Sequence, residues 1–405
     1  MDATETARAH VGELTWGDDR FLRWAASRLA VPREAPATSF VLHASLELMA
    51  RAVLLDLVPD ELHEPARLRI AWLVDSFEAA GEAVEAPARV TPSDLEGAVR
   101  DLAGALGESD LDAVDGLAAW LGAHTSPEQL RRLLGPAVAP ALGAAAHAPI
   151  GLHLLGRSPW IDGSVLRGCL RELARSPGWR VDVEGKAGGG RPLEEALLEV
   201  PLLGPAENDF IEPMVAHGAG AAAGLLADVS SDVGAAARAV SRVAAWSMVQ
   251  ERDDHVPYGW THTLTIPQAV LSIGLDPRTA VAVAGSEIIG FRASMGTRAL
   301  DPAAPVPPMA PDAFDDLVAW AALHHDAHVV KYVVACLDAA AADPDAAPLY
   351  AAAATRLAAW WWAEGDDGFF GTGSRAPAQP ASTQPAPTQP APTQPAPTQP
   401  AWSVR

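Results

Sequence analysis

A chain of 405 residues, 49% of them hydrophobic, is long enough to bury a sizeable core, as one large domain or as two or three average ones. Its 51 acidic against 29 basic side chains leave a formal net charge of -22 and a pI near 4.8. So acidic a surface repels phosphate backbones and anionic lipid, which argues against nucleic acid and membrane surfaces as partners.

The N-terminal MDATETARAH lacks a basic segment followed by an apolar core, so no secretory signal is expected. Alanine, leucine and arginine dominate and β-branched alternation is scarce, which predicts an all-α chain. Helices are predicted around Arg20 to Leu29, Ser39 to Leu57, Pro65 to Ala80, Ser93 to Leu106, Leu111 to Ala123 and Ser126 to Leu134, with capping starts at Ser93-Asp94 and at Ser126-Pro127-Glu128. The longest uncharged stretch, Gly135 to Gly156, is broken by three prolines and holds two histidines, so it is no membrane span. Further helices are predicted around Ile161 to Ala174, Pro192 to Leu198, Asp232 to Gln250, Pro277 to Ser294, Pro311 to His324 and Tyr350 to Trp362. Cys169 and Cys336, far apart in sequence, read as buried thiols in a reducing, cytoplasmic setting. From about Gly373 a QPAPT repeat with nothing to bury predicts an extended, disordered tail. The organisation expected is therefore one multi-helix domain, residues 1–372, and a tail, 373–405.

The segment LHHDAHVVKYVVACLDA, Leu323 to Ala339, concentrates three of the chain's twelve histidines. As one helix it would bring His324 and His325 beside His328, with Lys331 a turn further on. Val329, Val330, Val333, Val334 and Leu337 would bury the same helix, carrying an amine inward, an unusual place for a lysine. Elsewhere, chemistry-bearing motifs are weak. GKAGGGR from Gly185 lacks the Walker spacing, and HGAGAAAG from His217 only grazes a dinucleotide fingerprint. No Gly-x-Ser-x-Gly elbow exists, and neither cysteine sits in a nucleophile pattern. His10, His63, His124 and His255 have polar or charged surroundings and read as solvated.

Four other histidines are set among apolar residues: His43 in SFVLHASLELM, His147 in GAAAHAPIGLHLL, His262 in YGWTHTLTIPQAV, and His328. One alone would read as a satisfied core residue; four together point to a metal site in a central histidine-lined pocket, since neutral imidazole ligates Fe, Zn, Cu and Ni. A protonated Lys331 would be repelled by such an ion. It either snorkels to the surface or reacts as the neutral amine with carbon dioxide, giving an anionic carbamate ligand. Glu47 and Asp326 are candidates for orienting the imidazoles, against a plainer reading as solvated side chains.

Three blocks resemble the questin oxidase family: HAPIGLHLL from His147, following PEQLRRLLGPAVAPAL; THTLTIPQAVLSI around His262; and DAHVVKYVVACLDAAAADPDAAPLYAAAATRL from Asp326 to Leu357, with its Asp-x-His-x-x-Lys helix. The likeness runs from about His43 to Leu357. It departs from the family pattern at Leu42, where a polar residue is usual, and at Ala148, where glycine is common. The resemblance implies a non-haem iron oxygenase performing a Baeyer–Villiger-like oxidation or ring cleavage of an anthraquinone-type polyketide, with O2 as co-substrate and NADPH as a candidate reductant. By the same resemblance the metal ligands are His43, His147, His262, His328 and a carboxylated Lys331; for such an oxygenase, Tyr258 and Trp260 are candidates for an apolar substrate wall. Two other readings of the residues stay open: a zinc metallohydrolase, and a non-catalytic helical interaction protein with a partner-recruiting tail.

Overall fold

In the computed structural model the described residues are 3–33, 39–84, 90–141, 143–175, 193–203, 229, 231–252, 258–307, 309 and 312–363. The chain divides into two units, Met1–Phe370 and Gly371–Arg405; every described residue belongs to the first, and the predicted tail lies outside them. Among the described residues the architecture is all-α, with sixteen α-helices and no strand. In chain order they are α1 (Ala3–Ala9), α2 (Asp18–Leu29), α3 (Ser39–Leu55), α4 (Asp60–Glu78), α5 (Leu95–Glu108), α6 (Leu111–His124), α7 (Pro127–Val138), α8 (Gly143–Arg157), α9 (Arg167–Arg175), α10 (Leu193–Leu198), α11 (Val233–Gln250), α12 (Tyr258–Ser272), α13 (Pro277–Met295), α14 (Ala313–Leu323), α15 (Ala327–Ala342) and α16 (Ala347–Ala363).

The helix starts follow local chemistry. Asp94 Oδ1 accepts from Gly97 N–H at 2.6 Å, and Ser126 and Gln129 form a reciprocal capping box. Outer helices are one-sided: α2 buries Phe21, Leu22, Ala25, Ala26 and Leu29, a single helical stripe. Inner helices are buried on nearly every side. Every residue of α13 from Val283 to Met295 is buried, as is every residue of α15 from Val329 to Cys336. Four inner helices form a closed ring in which α3 packs on α8, α8 on α12, α12 on α15 and α15 on α3. Gly151 permits one of these approaches, because a Cβ there would lie 2.8 Å from Leu166 and 3.3 Å from Leu46. No helix among the described residues is long and apolar enough to cross a membrane.

Two differences from the sequence reading bear on the site. First, Leu323 to Ala339 is not one helix. α14 ends at Leu323, and α15 begins at Ala327 behind Asp326, whose carboxylate accepts from the His328 and Val329 amides at 2.7 and 3.4 Å. A side chain that satisfies the first free amides starts a new helix more cheaply than the old one can continue. His324 therefore does not share a helix face with His328. Second, α8 and α12 are continuous helices where prolines gave no helix signal. Pro149 can donate nothing to the Ala145 carbonyl and crowds it. In the first turn of α8, Ala145 and Ala146 hold positive φ, 52° and 56°.

Candidate metal centre

Each helix of the inner ring contributes one histidine: His43 from α3, His147 from α8, His262 from α12 and His328 from α15. The first three are buried, and the His328 side chain is 13% exposed. Ring centroids lie 4.4 Å apart for His43 and His147, 4.4 Å for His43 and His328, 5.4 Å for His262 and His328, and 6.4 Å for His147 and His262. One nitrogen each from His43, His147 and His262 falls within 4.8 Å of the other two. Ligands about 2.1 Å from a common ion are at most about 4.2 Å apart, so the three nitrogens would draw together to share one; His328 is not part of this triad.

The protonation of these groups suits ligation. Burial, reinforced by Lys331, His262 and His328, holds His147 well below the ordinary histidine range, so its imidazole is neutral. Neither of its nitrogens has a hydrogen-bond partner among the described residues. His328 Nδ1 lies 3.1 Å from Asp326 Oδ1. A carboxylate can only accept, so the ring proton sits on Nδ1 and the lone pair on Nε2. Burial opposes ionisation of Asp326, but His328, whose ring and backbone N–H groups it accepts from, and the neighbouring His324 hold its carboxyl below the usual range. On α12, Thr261 Oγ1 lies 3.4 Å from His262 Nδ1.

Lys331 is on α15, 3% exposed, and its Nζ has no hydrogen-bond partner among the described residues. Burial lowers its amine to about 7, against the opposing pull of Asp326, Cys169 and Glu47. The side chain does not snorkel to solvent. It stays inside in a form that is substantially neutral at physiological pH.

Glu47 is not solvated either. It is 1% exposed and pairs with Arg51, whose Nε is 2.8 Å away, and with Arg69, 3.1 Å away. Arg51 and Arg69 went unremarked in the sequence, although a Glu-x-x-x-Arg pair inside an apolar helix is a readable sign of buried charge. His324 lies at the end of α14, where its Nδ1 accepts from Asp326 N–H at 3.0 Å and its ring packs against Trp320 and Trp361. His325 stacks on His324.

Of the histidines read as solvated, His124 is exposed and stacked on Trp120, whereas His10 is 15% exposed and bonded to Asp75 at 2.7 Å. His63 pairs with Asp18. His153, not singled out before, is fixed between Ser272 and Asp338. Trp260 is 1% exposed and packs in the core. The Tyr258 side chain, His217, His255 and both glycine-rich stretches lie outside the described residues. Both cysteines are buried and free; burial pushes the Cys169 thiol up to about 11 and raises Cys336 further, which leaves neither poised as a nucleophile.

Comparison of the chain with protein-family models, with curated proteins and with solved structures returns no match. What can be said of its chemistry therefore rests on these residues. Four imidazoles form a nitrogen donor set of the kind that suits divalent iron, zinc, copper or nickel. An anionic oxygen at Lys331 would add the negative charge that such a set lacks.

Proposed function

We propose that the four-helix site holds one divalent first-row metal ion, and that the chain is a non-haem iron oxygenase acting on the ring of an anthraquinone-type polyketide or related quinone. The observation that carries the metal reading is the convergence of four imidazoles, one from each helix of a closed ring, around a buried point where His147 and Lys331 have no hydrogen bond among the described residues. A histidine kept for packing is ordinarily hydrogen-bonded when buried, which disfavours a purely structural role. The choice of oxygenase rests on the resemblance of the His147, His262 and Asp326–Lys331 blocks to the questin oxidase family.

On this reading His43, His147, His262 and His328 bind the ion as neutral imidazoles, with Asp326 keeping the His328 proton on Nδ1. The Lys331 amine attacks carbon dioxide through its lone pair: an N–C bond forms, one proton leaves to solvent, and the carbamate presents an anionic oxygen. An amine held near 7 by burial has its lone pair available for that step. Bound iron supplies the one-electron chemistry that lets dioxygen react with a closed-shell ring. Val329, Val330 and Val333, each 0% exposed, keep water from the same helix. Net, one oxygen atom enters beside a ring carbonyl, and the other leaves as water with two electrons and two protons, supplied as a hydride from NADPH plus a solvent proton or by the hydroquinone form of the substrate.

Protein purified without oxygen should carry stoichiometric iron and consume oxygen with polycyclic quinones or hydroquinones. Lys331→Ala should lose metal, and added formate or acetate should restore part of it. Absence of any redox-active metal together with no oxygen uptake would sink the proposal. Stoichiometric zinc would favour a metallohydrolase instead, for which the His43, His147 and His262 triad is a suitable donor set.

A further inference from the structure

α14 ends facing α3 and α4, and a helix end leaves backbone carbonyls without intrahelical donors. Here they are met by buried guanidinium groups. Arg51 on α3 donates from Nη1 to Ala322 O at 2.6 Å and from Nη2 to His324 O, while Arg69 on α4 donates from Nη2 to His325 O at 3.0 Å. Both arginines also reach one carboxylate oxygen, Glu47 Oε1. All three side chains are at most 2% exposed, and Arg69 lies 4.0 Å over the Trp72 ring. With Asp326, the next residue of the turn, two positive and two negative groups balance.

The placement matters more than the balance. Glu47 is one helical turn beyond His43 on α3, and the carbonyls gripped by Arg51 and Arg69 belong to residues 322–325, directly before the Asp326 that holds both the start of α15 and the His328 ring. We infer that Glu47, Arg51 and Arg69 are positioning residues for the metal site, a clamp that sets the distance and angle between His43 and His328 by fixing the 322–326 turn to α3. The inference rests on the metal reading of the four histidines. Buried ion pairs contribute little net stability but can select one arrangement over its neighbours, and groups that hold ligands commonly change metal affinity by about 10- to 100-fold when removed.

The test uses the full chain with Co(II) as the probe. Two substitutions act on the clamp without touching a ligand: Glu47→Gln, which keeps shape but removes the shared charge, and Arg51→Lys, which keeps charge but loses the three-pronged grip. Expected are retained helicity by circular dichroism, a Co(II) affinity lowered about 10- to 100-fold, a changed Co(II) visible spectrum, and faster hydrogen exchange at the His328 and Val329 amides. Wild-type affinity, spectrum and exchange protection in both folded variants would overturn the clamp. Failure of the unaltered chain to bind Co(II) or any other divalent metal would instead overturn the metal reading, and with it the clamp's assigned purpose. If Glu47→Gln does not fold, Arg51→Lys decides by the same readouts.

Discussion

α3 carries two buried polar groups one turn apart that are treated in opposite ways. Glu47 Oε1 accepts from Arg51 and Arg69, which also donate to backbone carbonyls. His43 faces His147 and His328 in a cluster where His147 and the Lys331 amine have no hydrogen bond among the described residues. Both clusters bear the desolvation cost of burial. In the first, opposite charges are paired within the chain. A charge-paired cluster suits architecture; on the proposed reading, the cluster around His147 and Lys331 suits a ligand from outside the chain.

The contrast predicts opposite responses to the same kind of substitution. Arg69→Leu leaves Glu47 to Arg51 alone and strands the His325 carbonyl, and should lower the free energy of unfolding in denaturant by about 1–3 kcal/mol; a loss within error would erase the distinction. His147→Leu removes groups that are already unsatisfied. In metal-free protein it should leave stability unchanged or raise it by about 1–3 kcal/mol, while abolishing the thermal shift that divalent metal gives the unaltered chain.

A third buried polar residue sharpens the comparison. Glu287 on α13 is 0% exposed, neither of its oxygens has a hydrogen-bond partner among the described residues, and burial raises its carboxyl well above the ordinary range. The folded state then retains a proton that the unfolded chain releases above about 4.5. Stability should fall as pH rises from there toward the folded pKa, by up to about 1.4 kcal/mol per unit from this group. Glu287→Gln should flatten that slope in pH-dependent denaturation curves; an unchanged slope would mean that the carboxyl is ionised in the fold.

The smallest expected effect concerns the backbone ahead of His147. Ala145 and Ala146 hold positive φ, a conformation that costs alanine roughly 1–2 kcal/mol. Ala146→Gly should therefore raise stability by about 1 kcal/mol in thermal or denaturant unfolding. A loss of stability there would show that glycine's added freedom in the unfolded chain outweighs the relieved strain.

Much of the site was legible because its residue types are out of place locally. An imidazole or an amine inside an apolar helical run has few innocent explanations, so His43, His147, His262, His328 and Lys331 could be named from their neighbours in sequence. The helices bearing two of them were not readable. Pro149 and Pro267 interrupt the local pattern, and only packing of α8 and α12 against three other inner helices makes a helix the better state there. The break between His324 and Ala327 was hidden for the converse reason, since helix-forming residues run straight through it.

Composition and periodicity by themselves determined an all-α chain with a large core and the identity of the polar residues that core would have to accommodate. Tertiary structure alone decided that four of those residues meet, because they lie on helices up to 285 positions apart, from His43 to His328, and no local pattern encodes which helix faces which. It also decided that Glu47 is locked between two arginines rather than solvated. That outcome depends on where the end of α14 delivers its carbonyls, a matter of packing across the whole chain.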